Sequence, residues 1–275
     1  VNMPSGLIAI KYGLQGISFA PVSACASANH ALISAFNFIQ TGQADLILTG
    51  GTEASITPSA IGGFNAMKAL STLNESPEIA SRPYDIDRDG FVAGEGAGAL
   101  ILEEYEHAIN RGATIYGEIV GGGMSTDAYH MTAPHPGGAG AHLAMKNAIL
   151  NAGLLPSDIN YINTHGTSTP AGDIPELLAI SKTFGESYRD IFISSTKSMT
   201  GHLLGAASAI EAIISLLAVK HDIIPPTINT VHIDPDIPAD TQLVVGKPLK
   251  TTVNYALSNS FGFGGHNATV IFKKE

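Results

Sequence analysis

Apolar residues in this chain cluster in two spacings. Short runs rich in β-branched and aliphatic side chains occur at Ile17–Val22, Ala44–Thr49, Gly98–Leu102, Ile115–Val120, Ile159–Thr164, Ile191–Ser195, Gln242–Val245 and Ala268–Phe272, and predict strands. Between them, Ala26–Gln40, Ala141–Ala152, Ile174–Phe184 and Ala206–His221 repeat apolar positions every three or four residues, as helices with one buried face do. Gly42 stands where a left-handed residue closes the first of these helices. Strand and helix alternate along the whole length, which predicts a layered α/β fold. Ser71–Arg88 is polar and carries two prolines, so it reads as a long surface connection.

The pattern also repeats weakly. Phe91–Leu102 and Phe261–Phe272 are each a Phe and Gly-rich turn running into an apolar strand. Ser18–Gln40 and Phe192–Lys220 each read as strand, small-residue turn, then Ala-rich helix. Two related halves are expected, 1–112 and 113–275, the first of them incomplete.

Composition narrows the chemistry. The 275 residues are 44% hydrophobic and 14% charged with 30 glycines, enough apolar surface for a large core and too little charge for a disordered chain. A net charge of −10 makes nucleic acid a poor partner, because phosphates are held by basic surfaces. No apolar run is expected to reach the length of a membrane helix, and no signal peptide opens the chain. The single cysteine forms no internal disulfide and fits a reducing, cytoplasmic compartment. A sequence starting at Val1 and entering a motif within a few residues has the form of a fragment.

Three residues occupy the same topological place. Cys25, in Ser23-Ala-Cys-Ala-Ser-Ala28, lies where a strand gives way to a helix, so the helix N-terminus can stabilise a thiolate and its N–H groups can hold an oxyanion. His165 follows the strand Ile159–Thr164, and His202 follows Ile191–Ser195. A lone cysteine is more often a small buried apolar residue, and a lone loop histidine is often structural. The coincidence of all three at strand ends favours an active site, because such loops converge on one rim. Gly94–Gly98 is not a dinucleotide fingerprint, since it leads into a strand instead of opening a helix. The histidines show no zinc-site spacing, Ser168 lacks the second glycine of a nucleophile elbow, and Gly262–Gly265 reads as a tight or mobile turn.

Ser-Ala-Cys25-Ala, Asn-Thr-His165-Gly-Thr-Ser-Thr-Pro, Thr-Lys197-Ser-Met-Thr-Gly-His202 and Asn259-Ser-Phe-Gly-Phe-Gly-Gly together resemble the β-ketoacyl-acyl carrier protein synthases of the elongating type. The Cys–His–His set differs from the initiating type, which pairs Cys with His and Asn, and thiolases usually carry a second cysteine. The likeness covers the C-terminal two-thirds of the family's chain. It implies a thiolase-like fold, two related α/β halves in a five-layered α-β-α-β-α core, and a homodimer formed across the half that carries the nucleophile.

By the same resemblance, Cys25 is the acylated nucleophile, with the N–H groups of Cys25 and Phe263 as the oxyanion hole. His165 and His202 stabilise the enolate that forms when a malonyl thioester loses CO₂. Lys197 is expected to pair with Glu176 and tune the histidines. Thr167 and Thr169 hold the phosphopantetheine arm of acyl carrier protein. Phe64 and Phe261 line the acyl pocket, Phe263 gates it, Asp127 and His130 face that gate, and Lys68 contacts the acidic carrier. Asn163, Glu211 and Ser258 match a monovalent-cation site; no other cofactor is implied. His266 departs from the Thr many relatives carry there, and Pro175 falls where a helix start tolerates it. A polyketide-type ketosynthase, or an inactive fragment or partner subunit, shares these motifs; the intact Cys25, His165 and His202 speak against the last.

Overall fold

The computed structural model describes all residues from Val1 to Glu275. The first segment holds α1 (Met3–Tyr12), α2 (Ser27–Gln40), β1 (Leu46–Glu53), α3 (Pro58–Ala66), β2 (Gly96–Glu103) and α4 (Tyr105–Asn110). Then come β3 (Glu118–Thr126), α5 (Ala139–Ala152), β4 (Tyr161–Asn163), α6 (Asp173–Phe184), β5 (Phe192–Ser194), α7 (Lys197–Thr200) and α8 (Ala207–His221). The chain ends with β6 (Ile223–Ile224), β7 (Gln242–Leu243), β8 (Leu249–Lys250), β9 (Tyr255–Gly262) and β10 (His266–Lys273).

Six strands form one mixed sheet in the order β3-β10-β9-β4-β5-β7, antiparallel at the β3 end and parallel from β9 onward. Its two faces feed two cores. One packs Ile162, Ile193, Leu257 and Ile271 against Met145 and Ile149 of α5 and Leu177, Ile180 and Phe184 of α6. The other packs Tyr161, Val270 and Phe272 against Leu32 and Ile33 of α2 and Ala212 and Val219 of α8. Beyond α2 and α8 lies the antiparallel pair β1–β2, with Leu100 turned inward. Four layers therefore stack as α-β-α-β. The outer face of β1–β2 is open, with Leu46, Leu48 and Ile101 exposed.

The four expected helices and seven of the eight expected strands are present, with ends shifted by a few residues. Ile17–Val22 is not a strand, because no strand of the chain runs beside it to take its hydrogen bonds; Ile17, Phe19 and Val22 are exposed. Conversely, β9 was hidden by its polar content, Ser258-Asn-Ser260, all fully buried. Residues 71–79 run over the surface as expected, but the rest of the 71–88 connection does not: Ser81, Tyr84, Asp85 and Arg88 are buried under the loop that carries His165. Leu204–His221 does reach 18 residues at a mean hydropathy of 1.4, contrary to the expectation from sequence. Its apolarity is accounted for by burial, since α8 touches a sheet on either side. Gly42 closes α2 as expected, with φ of 69° and its N–H on the Ile39 carbonyl. Gly96 and Gly98 in the rejected fingerprint are glycines for packing: a Cβ would lie 2.8 Å from Leu203 and 2.9 Å from Ala209.

Candidate active site

Cys25 is presented by a sharp reversal. Ala24 adopts a left-handed φ of 49°, a conformation that costs a non-glycine residue on the order of 1–2 kcal/mol. The Ser27 hydroxyl holds the reversal by donating to the Ala24 carbonyl at 2.7 Å and accepting from the Ser23 N–H at 2.9 Å. The Ser260 hydroxyl on β9 donates to the Cys25 carbonyl at 2.6 Å, and Asn29 donates to the carbonyls of Ser258 and Ala268. The start of α2 is thereby pinned to the β9–β10 hairpin.

His202 is set by backbone. Its N–H donates to the Val92 carbonyl at 2.7 Å and its carbonyl accepts from Gly94, so the loop after α7 is stitched to the segment before β2. Its Nε2 stands 3.1 Å from Cys25 Sγ. The His165 ring lies 5.3 Å from that of His202, edge to face. His165 is oriented from behind by Glu176, whose carboxylate accepts the N–H groups of His165 and Gly166, each at 2.8 Å. The His165 loop rests on the buried segment noted above: Arg88 pairs with Asp173 and Asp234, and Ser168, at a left-handed φ of 66°, accepts from Arg82.

Lys197 is fully buried and pairs with Glu211, not with Glu176. The reason is positional: Glu176 is already committed to the two backbone N–H groups and to the Asn259 amide. Burial pushes Glu176 and Glu211 up to about 7, opposed for Glu176 first by its backbone donors and for Glu211 by Lys197. Burial and the positive charge of Lys197 hold His165 and His202 well below the usual imidazole range, so both rings are neutral at pH 7. Burial also raises the Cys25 thiol to about 11, against Lys197 and the backbone N–H groups of Cys25 and Phe263, which favour the thiolate. Both amides thus act on the thiol from close by, where they are available to the oxygen of a carbonyl that the sulfur attacks.

These groups open into a cavity of about 590 Å³. Phe64, Phe261, Phe263, Thr167, Thr169, Asp127 and Lys68 line it; His130 does not. The exposed His130 ring instead accepts the N–H groups of Thr132 and Ala133 and shapes its own turn. Asp127 accepts from Asn267 at 2.8 Å and donates its N–H to the Gly265 carbonyl, clasping the hairpin turn 263–265. His165 stacks near Phe261, with ring centres 5.7 Å apart. Asn163 and Ser258 are paired across β4 and β9, while Glu211 holds Lys197.

Two residues of the site escaped the sequence reading. Phe91 packs on both Phe64 and His202, at 5.2 and 5.3 Å, and walls the cavity beside Cys25. Its only signal was its place in the weak repeat opposite Phe261. Asn259 links Glu176 to Thr269 and has no signal apart from lying in a motif.

The comparisons agree with this geometry. A family model described as the beta-ketoacyl synthase N-terminal domain matches residues 1–108, and the C-terminal domain model matches 116–231. The chain belongs to the β-ketoacyl synthase family. Within the family, it is 52% identical to a 3-oxoacyl-[acyl-carrier-protein] synthase 2 of Synechocystis over 99% of its own length and 65% of the relative's. It is 50% identical to the enzyme of that name from Coxiella burnetii, covering all of this chain and 66% of that one. The chain thus spans just under two thirds of these relatives. Among solved structures, a beta-ketoacyl synthase from Burkholderia phymatum superposes with a TM-score of 0.94 at 39% identity, over 100% of this chain and 65% of that one. A complex of a type II PKS acyl-carrier protein with its ketosynthase superposes at 0.96 with 38% identity, over 100% of this chain and 67% of that chain. The fold is the thiolase-like fold of these ketosynthases.

Proposed function

We propose that the protein catalyses the decarboxylative condensation of an acyl thioester with a malonyl thioester, both on acyl carrier protein, in fatty-acid elongation. The observation that carries this is Cys25 Sγ at 3.1 Å from the Nε2 of a neutral imidazole, with a second neutral imidazole beside it.

In the first step Sγ forms a bond to the acyl carbonyl carbon and the bond to the pantetheine sulfur breaks; the Cys25 proton ends on that departing sulfur. The amides of Cys25 and Phe263 hold the oxyanion. In the second, the malonyl carbon–carboxylate bond breaks, CO₂ leaves, and the electron pair passes to an enolate whose oxygen accepts from Nε2–H of His165 and His202. The enolate carbon attacks the acyl–Cys25 carbonyl, the thioester bond breaks, and the departing Cys25 thiolate takes a proton from solvent to restore the starting thiol. Neutral imidazoles suit this task because they donate a hydrogen bond without protonating the carbanion.

The remaining assignments belong to the same reading. Thr167 and Thr169, whose hydroxyls lie 2.9 Å apart at the cavity wall, hold the pantetheine arm; exposed Lys68 meets the acidic carrier. Phe263 gates the cavity from the hairpin turn. A split into halves 1–112 and 113–275, a homodimer and a cytoplasmic location follow the family resemblance. Glu211 Oε2 and Ser258 Oγ are buried without hydrogen-bond partners, and with Asn163 they form a hard-oxygen set suited to a monovalent cation. The polyketide likeness at 38% identity supports a second reading, a polyketide ketosynthase, but the 50–52% identity to fatty-acid synthases favours the first.

Intact mass after incubation with acyl-acyl carrier protein tests the proposal. An acyl adduct on the wild type, absent from Cys25→Ala, followed by a β-ketoacyl product on adding malonyl-acyl carrier protein, is expected. An unmodified wild type, or an adduct that persists in the variant, would overturn it. Efficient use of a β-keto chain as primer would favour the polyketide reading.

A further inference from the structure

The three reactive groups also make a ligand set for a soft divalent cation. Cys25 Sγ and one ring nitrogen each of His165 and His202 lie within 4.8 Å of one another. Tetrahedral zinc holds sulfur at about 2.3 Å and imidazole nitrogen at about 2.1 Å, which separates adjacent ligand atoms by roughly 3.4–3.6 Å. The 3.1 Å Sγ–Nε2 distance is a few tenths of an ångström short of that separation. No backbone shift is called for, since both side chains hang over open cavity.

The outer nitrogens of the two rings set a condition on such a site. The Nδ1 atoms of both rings are buried and have no hydrogen-bond partner, so the protein does not fix either tautomer. Coordination through Nε2 places the proton on Nδ1, where no protein group accepts it, so the fit rests on the positions of the three ligand atoms alone.

We propose that Cys25, His165 and His202 form a three-ligand Zn²⁺ site whose fourth position opens into the cavity, and that zinc there reversibly masks the nucleophile. Binding displaces the thiol proton to solvent and leaves no change of oxidation state. Three protein ligands with an exchangeable fourth define an open site, so a chelator removes the metal. The second histidine is what separates this from capture of an exposed thiol, because it converts a two-point contact into a facial set. The site stands or falls separately from the condensation chemistry, since its readouts are metal binding and thiol protection.

The test is calorimetry with Zn²⁺ and absorption spectroscopy with Co²⁺ on the full-length protein. One equivalent of Zn²⁺ is expected per chain, with a thiolate-to-cobalt charge-transfer band on the Co²⁺ complex. Zn²⁺ slows iodoacetamide labelling of Cys25, and EDTA restores it. Cys25→Ala, His165→Asn and His202→Asn each weaken binding on the order of 100-fold, as loss of one of few ligands does. Wild type alkylated at Cys25 loses the site in the same way and guards against a variant that fails to fold. His232→Gln serves as a control on the second acidic cluster, Asp85-Asp87-His232, and retains full binding. Undiminished binding after alkylation or in both histidine variants, absence of the charge-transfer band, or loss of binding in His232→Gln would overturn the proposal.

Discussion

The two sheets of this molecule treat their strands differently. In the six-stranded sheet, β9 and β10 are buried on both faces between helix pairs, and their residues read as core throughout. In β1–β2 only the face toward α2 and α8 is covered, and leucine and isoleucine stand exposed on the other. The site is divided along the same line. The large sheet supplies His165, Lys197, His202 and the hairpin turn with their supports, each anchored by buried polar bonds. The nucleophile starts α2, the helix layer between the sheets, and its anchors run to β9, β10 and α8. Reactive geometry here depends mainly on the completely covered sheet; the half-open one contributes through the segment leading into β2, where Val92 and Gly94 hold the backbone of His202 and Phe91 packs on its ring.

The sharpest way to break that view is Lys197→Met. It leaves Glu211 buried without its cation, and removal of one member of a buried pair costs about 3–5 kcal/mol. Denaturant unfolding should show that loss together with a fall in the rate of Cys25 alkylation, since Lys197 favours the thiolate. Next, Leu257→Ala in the large sheet should cost about 2–5 kcal/mol as a core truncation.

Within the covered region the buried titratable groups act in opposite directions. Glu176 has a folded pKa of about 7, above its ordinary value of 4.5, so its contribution to stability is present below pH 4.5 and is lost as pH rises to 7. His165 and His202 act oppositely: their folded pKa values are depressed, and their contribution is present above 6.5 and lost as pH falls. Unfolding of Glu176→Gln beside wild type isolates the first effect. The difference should move in the variant's favour by on the order of 1–3 kcal/mol between pH 4.5 and 7, whatever its constant offset. A flat difference would show that the backbone N–H groups fully compensate burial. The smallest effect is expected on the open face: Leu48→Ser should change stability by less than about 0.5 kcal/mol. A loss comparable to that of Leu257→Ala would end the distinction between the sheets.

Much of this was legible. Periodicity located α2, α5, α6 and α8, and motif position at strand ends brought Cys25, His165 and His202 together. Three things were not legible, each for a physical reason. Strand β9 carries Ser258, Asn259 and Ser260 into the core, so a hydrophobic pattern cannot mark it; their partners, including the Cys25 carbonyl and Glu176, come from elsewhere in the chain. The partner of Lys197 was misassigned because two buried glutamates compete, and the choice turns on Glu176 being saturated by backbone donors. The 71–88 segment looks like a surface loop because its buried charges, Asp85 and Arg88, are satisfied by residues as far off as His232 and Asp234. Ile17–Val22 shows the converse: strand composition yields no strand without a neighbour to bond.

The hairpin β9–β10 joins the most deeply buried strands to a turn of only three residues. Across that turn, Gly264 donates to the Met131 carbonyl and Gly265 accepts from Asp127. With the bond from Gly265 N–H to the Gly262 carbonyl and that from the Asn267 amide to the Gly265 carbonyl, these hydrogen bonds, at about 1 kcal/mol each, hold the turn separately from the ladder below. The gating proposed for Phe263 would therefore be decoupled from unfolding: exchange of the turn in the microsecond-to-millisecond range is expected, with the amides of Leu257 and Val270 protected from hydrogen exchange through many such cycles.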